Sequence, residues 1–312
     1  MKPLRCIVAG VGRLAGDDPT LLLAVDLARR CGARLHLVHA FEYPHLTAVY
    51  PPLDTIQPEG FERYQAELRE ALEAAVRRHA DVDGDEVVCH AVSGAPGQAL
   101  ADAADRLHAD LLIVGAAQPS GRGHPRLGTT AQRAIRSAHV PVLVARTALY
   151  RKPERVLLAT DVSEMSAAVH ERALDVLEGL YGLDGVELRA VLVLASGFVP
   201  PPLPDQALAR TAYGELDRFL DARSGRPAKV HPAVRVGEVP AQIVDEVADW
   251  NADLLVVGTH GRHGLPRLWL GSVAEACIRD APCSVLAVPP VPQAAPVEAL
   301  HHFTVSGAAA VA

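Results

Sequence analysis

The stretch ADLLVVG (252–258) decides the fold, because the chain contains it twice. The other copy is ADLLIVG (109–115), which differs by a single aliphatic residue. The similarity continues further along the chain, where LGSVAEACIRDAPCSVLAV (270–288) aligns without a gap on LGTTAQRAIRSAHVPVLVA (127–145). Similarity at a fixed spacing is the signature of an internal repeat. The chain is therefore built from two copies of one unit.

The repeat divides the chain into two predicted domains and a tail. Near the start of each copy, RVLLATDV (155–162) matches RCIVAGVG (5–12). Between the copies, TALYRKPE places charged residues and a proline after a strand. We predict domains at 1–148 and 152–290, in agreement with the prior of about two domains for this length. The tail, 291–312, is rich in Pro and Ala and is predicted to be loosely ordered.

Within each copy, short apolar runs alternate with segments of helical period. In the second copy the runs are RVLLAT, VELRAVLVL, KVHPAVRV, DLLVVG and SVLAV. Their Val, Leu and Ile residues occupy both faces, which is typical of parallel strands covered by helices on both sides. Five strands and four helices per copy predict an α/β fold. We expect two tandem doubly wound domains, each a five-stranded parallel sheet with right-handed crossovers and helices on both faces.

Apolar residues at helical spacing predict which side chains face the cores. Such a face runs along three of the predicted helices, and we assign its Trp and Met to packing rather than to cofactor contact. The residues are Met165, Val169, Ala173 and Val176, then Ile243, Val247 and Trp250, and in the first copy Phe61, Tyr64, Leu68 and Leu72.

Composition and charge argue against several classes of protein. A formal net charge of −7 without a basic run argues against a nucleic-acid partner. No stretch approaches the ~20 apolar residues that span a bilayer. The apolar start is also too short for a signal peptide, so we expect a cytoplasmic protein with no membrane partner. Five scattered cysteines without a CxxC pair predict reduced thiols rather than a disulfide or zinc framework.

Candidate binding residues follow the strands, because open parallel sheets bind ligands beyond the carboxyl ends of their strands. ATDVSEMS (159–166) places Thr160 and Asp161 at the end of the first strand of the second copy. Ser163 follows where a helix should begin. The alternative is that Asp161 and Ser163 serve only as turn and N-cap residues, a common role for both residue types.

A glycine-rich stretch, GTHGRHGLPRLWLGS (258–272), follows the fourth strand of the same copy. Its glycines Gly258, Gly261 and Gly271 permit close backbone approach. A helix predicted from Ser272 offers N–H donors and a positive dipole end to an anion. The loop adds cations or donors, with a solvated loop as the alternative for the last two: His260, Arg262, His263 and Arg267. The sequence contains no Walker loop and no HExxH or GxSxG pattern.

The motif G-T-H-G (258–261), separated by 262–270 from G-S (271–272), together with an Asp that closes the first strand, resembles the ATP-binding pattern of the universal stress protein (UspA) family. The resemblance covers both copies. It implies a Rossmann-like fold of the adenine nucleotide alpha hydrolase-like type, and bound ATP, ADP or AMP with Mg²⁺ carried on the phosphates. The implied contacts are Thr160, Asp161 and the backbone around Val191 for adenine and ribose, and Gly258, His260, Gly261, Arg262, Gly271, Ser272 and Val273 for the phosphates.

The first copy departs from this pattern at two positions. In GAAQPSGRGHPRLGT (115–129), Gln118 stands where the motif has its second glycine, and Val11 stands in place of Asp161. A valine side chain accepts no hydrogen bond. One unpaired polar group on a ligand costs about 1 to 3 kcal/mol, or roughly 5- to 150-fold in affinity. We predict that the second copy binds nucleotide and that the first is weak or empty.

Two other patterns are weaker. GVGRLAG (10–16) follows a strand like a dinucleotide fingerprint, but Glu42 lies about ten positions too late and the matching turn of the second copy has no glycines. We interpret it as a turn of permissive residues. His36 and His39 point to opposite faces of their strand by its two-residue period, and a further pair lies in the tail. Neither pair predicts a metal site.

The family resemblance also implies that the two copies pack together as an intramolecular pseudo-dimer, through the edges of their fifth strands. These strands are VPVLVA (140–145) and SVLAV (284–288), whose apolar edges would otherwise invite aggregation. The sequence leaves open whether two chains form a homodimer.

Three functions compete at this point. The favoured one is a nucleotide-binding regulatory or stress-response protein that uses ATP as a sensed ligand. The second is a slow ATPase or an autophosphorylating protein, with Ser272 as a candidate acceptor and His260 as the one evident base beside the phosphates. The third is an interaction scaffold that binds no nucleotide.

Overall fold

The computed structural model describes residues 3–14, 18–42, 58–79, 87–116, 128–146, 151–195, 205–221, 229–259 and 270–290. The first copy consists of β1 (Cys6–Gly10), α1 (Pro19–Cys31), β2 (Arg34–Phe41), α2 (Pro58–His79), β3 (Val87–Ser93), α3 (Pro96–Arg106), β4 (Leu111–Gly115), α4 (Thr129–Ser137) and β5 (Val142–Ala145). The second consists of β6 (Arg155–Thr160), α5 (Glu164–Tyr181), β7 (Glu187–Ala195), α6 (Asp205–Asp221), β8 (Val230–Gly237), α7 (Val239–Asp249), β9 (Leu254–Gly258), α8 (Ser272–Asp280) and β10 (Ser284–Val288).

The ten strands form one sheet, in the order β3-β2-β1-β4-β5-β10-β9-β6-β7-β8. Pairing is parallel within each copy, whereas β5 and β10 pair antiparallel, with Leu286 opposite Leu143. The predicted α/β fold with a five-stranded parallel unit in each copy is confirmed. The contact between fifth strands is present as well, and it makes the two units halves of one continuous sheet.

Helices cover both faces of this sheet, as the apolar strands require. Neighbouring strand residues such as Leu157 and Leu158 are both fully buried and belong to opposite faces. Helices α1, α2, α5 and α6 contribute to the core on one face, and α3, α4, α7 and α8 to the core on the other. Each core therefore runs across both copies without a break.

The two outer strands, β3 and β8, are less buried than the inner ones. Val88 on β3 is 38% exposed and Val236 on β8 is 42% exposed, although both belong to apolar runs. Pro232 lies within β8, where it pairs on one side only, opposite Ala190. An edge strand tolerates a proline because its outer backbone groups need no ladder partner.

The predicted apolar helical faces are largely buried, with one exception. Ile243 and Val247 are buried, and the half-buried Trp250 packs beneath the Arg189 guanidinium, 4.4 Å from the ring centre. The exception is Tyr64, which is 40% exposed. The Tyr64 ring makes an edge-to-face contact with Phe41, the last residue of β2. Within the described part of the chain, no helix has the length and apolarity to cross a membrane.

Candidate functional site

The candidate site of the second copy lies where the strand order reverses. Strand β6 has β7 on one side and β9 on the other, so the helices that follow β6 and β9 diverge from a crevice between these two strands. The two strands run parallel, with Leu158 opposite Val256. Thr160 and Gly258, each two residues further along, therefore end side by side. The structure brings both predicted residues to the same edge.

Asp161 is held rigidly at this edge by the turn into α5. Its carboxylate oxygen Oδ1 accepts hydrogen bonds from the Ser163 backbone N–H, at 3.1 Å, and from the hydroxyls of Ser163 and Ser166. The Ser166 hydroxyl in turn accepts from the Asp161 N–H at 3.3 Å. Ser163 caps α5 by accepting from the Ser166 N–H at 3.2 Å. The turn and N-cap roles are thus real, and they fix the half-buried carboxylate beside the crevice.

The residue between Asp161 and Ser163 has an unusual backbone conformation. Val162 has a φ of 56°, in the left-handed region that β-branched residues rarely adopt. Its N–H donates to the Thr160 hydroxyl at 3.0 Å, which gives Thr160 a structural role in the same turn. Backbone strain of this kind is concentrated at functional sites. Neither Val162 nor Ser166 stands out in the sequence as a site residue.

On the other side of the crevice, the start of α8 presents backbone N–H groups. Gly271 is the N-cap, and within the described residues no side chain caps this helix. The Gly271 N–H donates to the Thr259 carbonyl at 2.9 Å, which ties the helix start to the end of β9. The two following residues, Ser272 and Val273, are exposed. Uncapped first-turn amides can donate to an anion.

Three predicted phosphate residues, His260, Gly261 and Arg262, lie outside the described residues, as do His263 and Arg267.

The structure does not bring the Val191 side chain to the crevice. Val191 is fully buried inside β7, opposite Ala159, and its side chain belongs to the core. The following residue, Leu192, pairs with Thr160, the last residue of β6. Val193 is the first partly exposed residue beyond that pair. The predicted contact is with the backbone around Val191, and it stays a prediction.

At the matching edge of the first copy, two hydrogen bonds join the ends of β1 and β2, and one of them uses a side chain that the second copy lacks. The Val11 N–H donates to the Val38 carbonyl at 2.9 Å, and His39 Nδ1–H donates to the Val11 carbonyl at 2.8 Å. Strand pairing places His39 at the position that Val193 occupies in the second copy. A valine side chain has no such donor. His39 therefore ties the ends of β1 and β2 together only in the first copy.

The chain is similar to universal stress proteins over nearly its whole length. The sequence model of the universal stress protein family matches residues 4–146 and 153–289. A universal stress protein of Mycolicibacterium smegmatis is 27% identical over 307 residues, 91% of this chain and 97% of that protein. The match to universal stress protein A homolog 2 of Coxiella burnetii is 45% identical but spans 58 residues, 19% of this chain and 39% of that protein.

A solved structure that covers most of this chain supports the same fold. A universal stress protein from Archaeoglobus fulgidus is 18% identical with a TM-score of 0.60, covering 90% of this chain and 98% of that chain. A universal stress protein solved in complex with cAMP is 26% identical with a TM-score of 0.31, covering 46% of this chain and 98% of that chain. The family match extends over both copies. The chain therefore belongs to the universal stress protein family and carries two family domains in tandem.

Proposed function

We propose that this protein is an adenine-nucleotide-binding regulatory or stress-response protein, and that its second copy holds the nucleotide. The observation that carries the proposal is the position of the Asp161 carboxylate, fixed at the end of β6 beside Gly258. A carboxylate in this position accepts hydrogen bonds from ribose hydroxyls or an amino group. Across the crevice, the amides of Ser272 and Val273 donate to phosphate oxygens.

ATP is the nucleotide we favour, with ADP and AMP as close alternatives. The glycine-rich loop supplies His260, Gly261 and Arg262 to the same end of the crevice according to the family pattern, which suits a chain of phosphates. Mg²⁺ would be carried on those phosphates. Within the described residues, no group of three or more His, Cys, Asp and Glu side chains is arranged to hold a metal ion.

The asymmetry between the copies is part of the proposal. In the first copy, Val11 replaces the carboxylate of Asp161, and the Val11 backbone is tied to Val38 and His39. In the second copy, the Asp161 N–H turns instead to Ser166, within its own loop. The backbone at the end of β7 is therefore available to the ligand. We therefore expect nucleotide to occupy one site per chain.

Two measurements test occupancy. Mass spectrometry of the small molecules released on denaturation should find ATP or ADP, and calorimetric titration of nucleotide-free protein with ATP should give one site per chain. Two equivalent sites would refute the asymmetry. If no nucleotide is released and no heat of binding is seen, the interaction scaffold becomes the better account.

The substitution Asp161→Ala tests the site directly. It removes one hydrogen-bond acceptor from the crevice, so we expect affinity for ATP to fall by roughly 5- to 150-fold. Asp184→Ala is the matched control, because Asp184 is an exposed residue in the turn after α5. Gly261→Gln installs the residue of the first copy in the second and should also weaken binding. Unchanged affinity in both site variants would show that the ligand lies elsewhere.

A catalytic role is the second candidate, and one observation favours it. Ser272 is exposed at the start of α8, where it would lie beside bound phosphates. Incubation with ATP followed by intact-mass measurement distinguishes the possibilities. A mass increase of one phosphate that is lost in Ser272→Ala indicates autophosphorylation, release of ADP without modification indicates a slow ATPase, and intact ATP indicates a sensed ligand.

A further inference from the structure

A cleft also opens in the first copy, at the carboxyl ends of its strands. It has a volume of about 440 Å³ and is lined from the ends of β1, β2, β4 and β5. Its apolar wall includes Val38, Leu100 and Val114, all buried. A volume of this size lies within the range of about 300 to 1,000 Å³ typical of small-molecule sites. The cleft exists although the nucleotide motif of this copy is eroded.

The charge available in this cleft is positive. Arg13 and Arg146 line it, together with His39. Asp18 also lines it, but this buried carboxylate already accepts from four backbone amides, those of Gly12, Arg13, Thr20 and Leu21. Burial lowers the pKa of the Arg146 guanidinium from its usual value, and backbone carbonyls of the other copy hold this guanidinium.

The cleft does not suit a nucleotide. Recognition of a base or ribose needs acceptors and donors at the ends of β1 and β2, and here the Val11 side chain supplies none. The Val11 carbonyl and the Val38 carbonyl are engaged by His39 and by the Val11 N–H. An apolar wall with cations at one end fits instead a compact anion on a short apolar body.

Arg146 also belongs to the other copy. It follows β5, and its guanidinium donates to the carbonyls of Ile278 and of Arg279, the latter at 2.9 Å. Its backbone N–H donates to the Ser284 hydroxyl at 3.1 Å. Arg146 thus caps the carboxyl end of α8, the helix whose first turn faces the crevice of the second copy. One side chain lines the first cleft and supports the second.

We propose that the first-copy cleft binds a small organic carboxylate with a short apolar body, and that Arg146 is shared between this ligand and the carboxyl end of α8. The ligand's carboxylate contacts Arg146 and Arg13, and its apolar part packs against Leu100 and Val114. Binding draws the guanidinium from the α8 carbonyls. This proposal stands independently of nucleotide binding in the second copy.

Hexanoate is the probe for the test, with hexan-1-ol and AMP as comparisons. In ¹⁵N-resolved NMR spectra of the full chain, hexanoate should shift the amide signals of Val11, Thr20 and Ala145 with saturation, and should also shift those of Arg279 and Asp280 at the end of α8. Hexan-1-ol should be at least about tenfold weaker, because it lacks the charge-assisted bond. AMP should not displace hexanoate from the first cleft.

Substitutions separate the contributions of Arg13 and Arg146 to hexanoate binding. Arg13→Gln and Arg146→Gln should each lower hexanoate affinity about tenfold or more. Only Arg146→Gln should abolish the shifts at the end of α8. Arg136→Gln, an exposed arginine on α4, is the matched control and should change nothing. Arg146→Gln also removes hydrogen bonds between the two copies, so this variant could fold poorly. In that case Arg13→Gln alone still tests the cleft.

Three results would overturn the proposal. They are no saturable shift with hexanoate, equal binding of hexan-1-ol, and displacement of hexanoate by AMP. The shifts that ATP produces around Asp161 are recorded in the same spectra. A failure of the nucleotide proposal is therefore visible separately from a failure of this one.

Discussion

At the scale of single residues, His39 and Asp161 account for the difference between the two copies. Asp161 is visible in the sequence, because a carboxylate after a buried strand is a recognised signal for a ligand contact at the end of a parallel sheet. His39 is not visible in this way, since its bond to the Val11 carbonyl joins two strands and depends on strand register. The sequence supports an eroded motif at Val11. It does not reveal the hydrogen bond from His39 that joins the two strand ends there.

Another residue-scale feature is a pair of histidines on β2 and β3. His36 Nδ1 and His90 Nε2 lie 2.9 Å apart, so one ring donates and the other accepts, and their stacked rings have centres 5.2 Å apart. Burial lowers the pKa of both, and nearby Arg34 and Arg106 add to the effect. Sequence reasoning treated His36 with His39 and missed its real partner, because that partner is on another strand.

This pair predicts a loss of stability in mild acid. Because the folded-state pKa of each ring is below its ordinary value of 6.5, the unfolded chain binds more protons below that pH. Stability should therefore fall as pH decreases below about 6.5. Urea unfolding of His90→Gln should show a smaller drop between pH 7.5 and 5.5 than the unaltered protein. His231→Gln, at an exposed position of β8, is the control, and an equal drop in all three proteins would contradict the prediction.

At the scale of elements, strands are better predicted than the turns between them. The runs RVLLAT and SVLAV coincide with β6 and β10, because buried parallel strands need continuous apolar residues. The connection after the first strand differs between copies in a way that alignment hides. Helix α5 begins at Glu164, soon after β6, whereas α1 begins only at Pro19 after a longer loop that Asp18 organises. The Asp18 carboxylate accepts from four backbone amides, and this arrangement depends on the folded loop. It therefore produces no periodic pattern in the sequence.

Helix α7 provides an element-scale prediction, because a buried carboxylate joins it to β7 and β8. Glu246 is 5% exposed and pairs with Arg189 on β7 at 2.8 Å and with Arg235 on β8 at 2.6 Å. Glu246→Ala leaves two cations without this partner. We expect the free energy of unfolding to fall by about 3 to 5 kcal/mol, as for other buried pairs that lose one member.

The control for this prediction lies one turn further along α7. Asp249 also pairs with Arg235 at 2.6 Å, but its side chain is 65% exposed. Asp249→Ala should cost less than about 1 kcal/mol, because solvent screens an exposed pair. Chemical denaturation of both variants measures the difference. Equal losses in the free energy of unfolding for the two variants would mean that the burial of Glu246 contributes little to stability.

At the scale of the whole molecule, the continuous sheet depends on the antiparallel pair between β5 and β10. Val144 and Val285 face one another in this pair and are fully buried. The contact between these strands was expected from the family resemblance, and the apolar edges of both fifth strands agree with it. The bonds of Arg146 across the junction were not predictable, because they join a strand end to a helix end far away in the chain.

Separation of the copies should expose this pairing edge. The fragment 152–290 presents β10 without its partner strand, and an unpaired apolar edge associates with another strand. We expect the fragment to self-associate, as measured by sedimentation velocity. A fragment that stays monomeric would show that the junction contributes little to pairing.

The covalent link between the copies has a consequence beyond stability. Two separate subunits would dissociate on dilution, whereas tethered partners experience an effective local concentration on the order of millimolar. Pairing in this chain is therefore independent of how much protein is present. In a symmetric homodimer, any substitution appears on both sides of the twofold axis. Here a change at Val11 or His39 stays on one side, so the two halves can differ in what they bind.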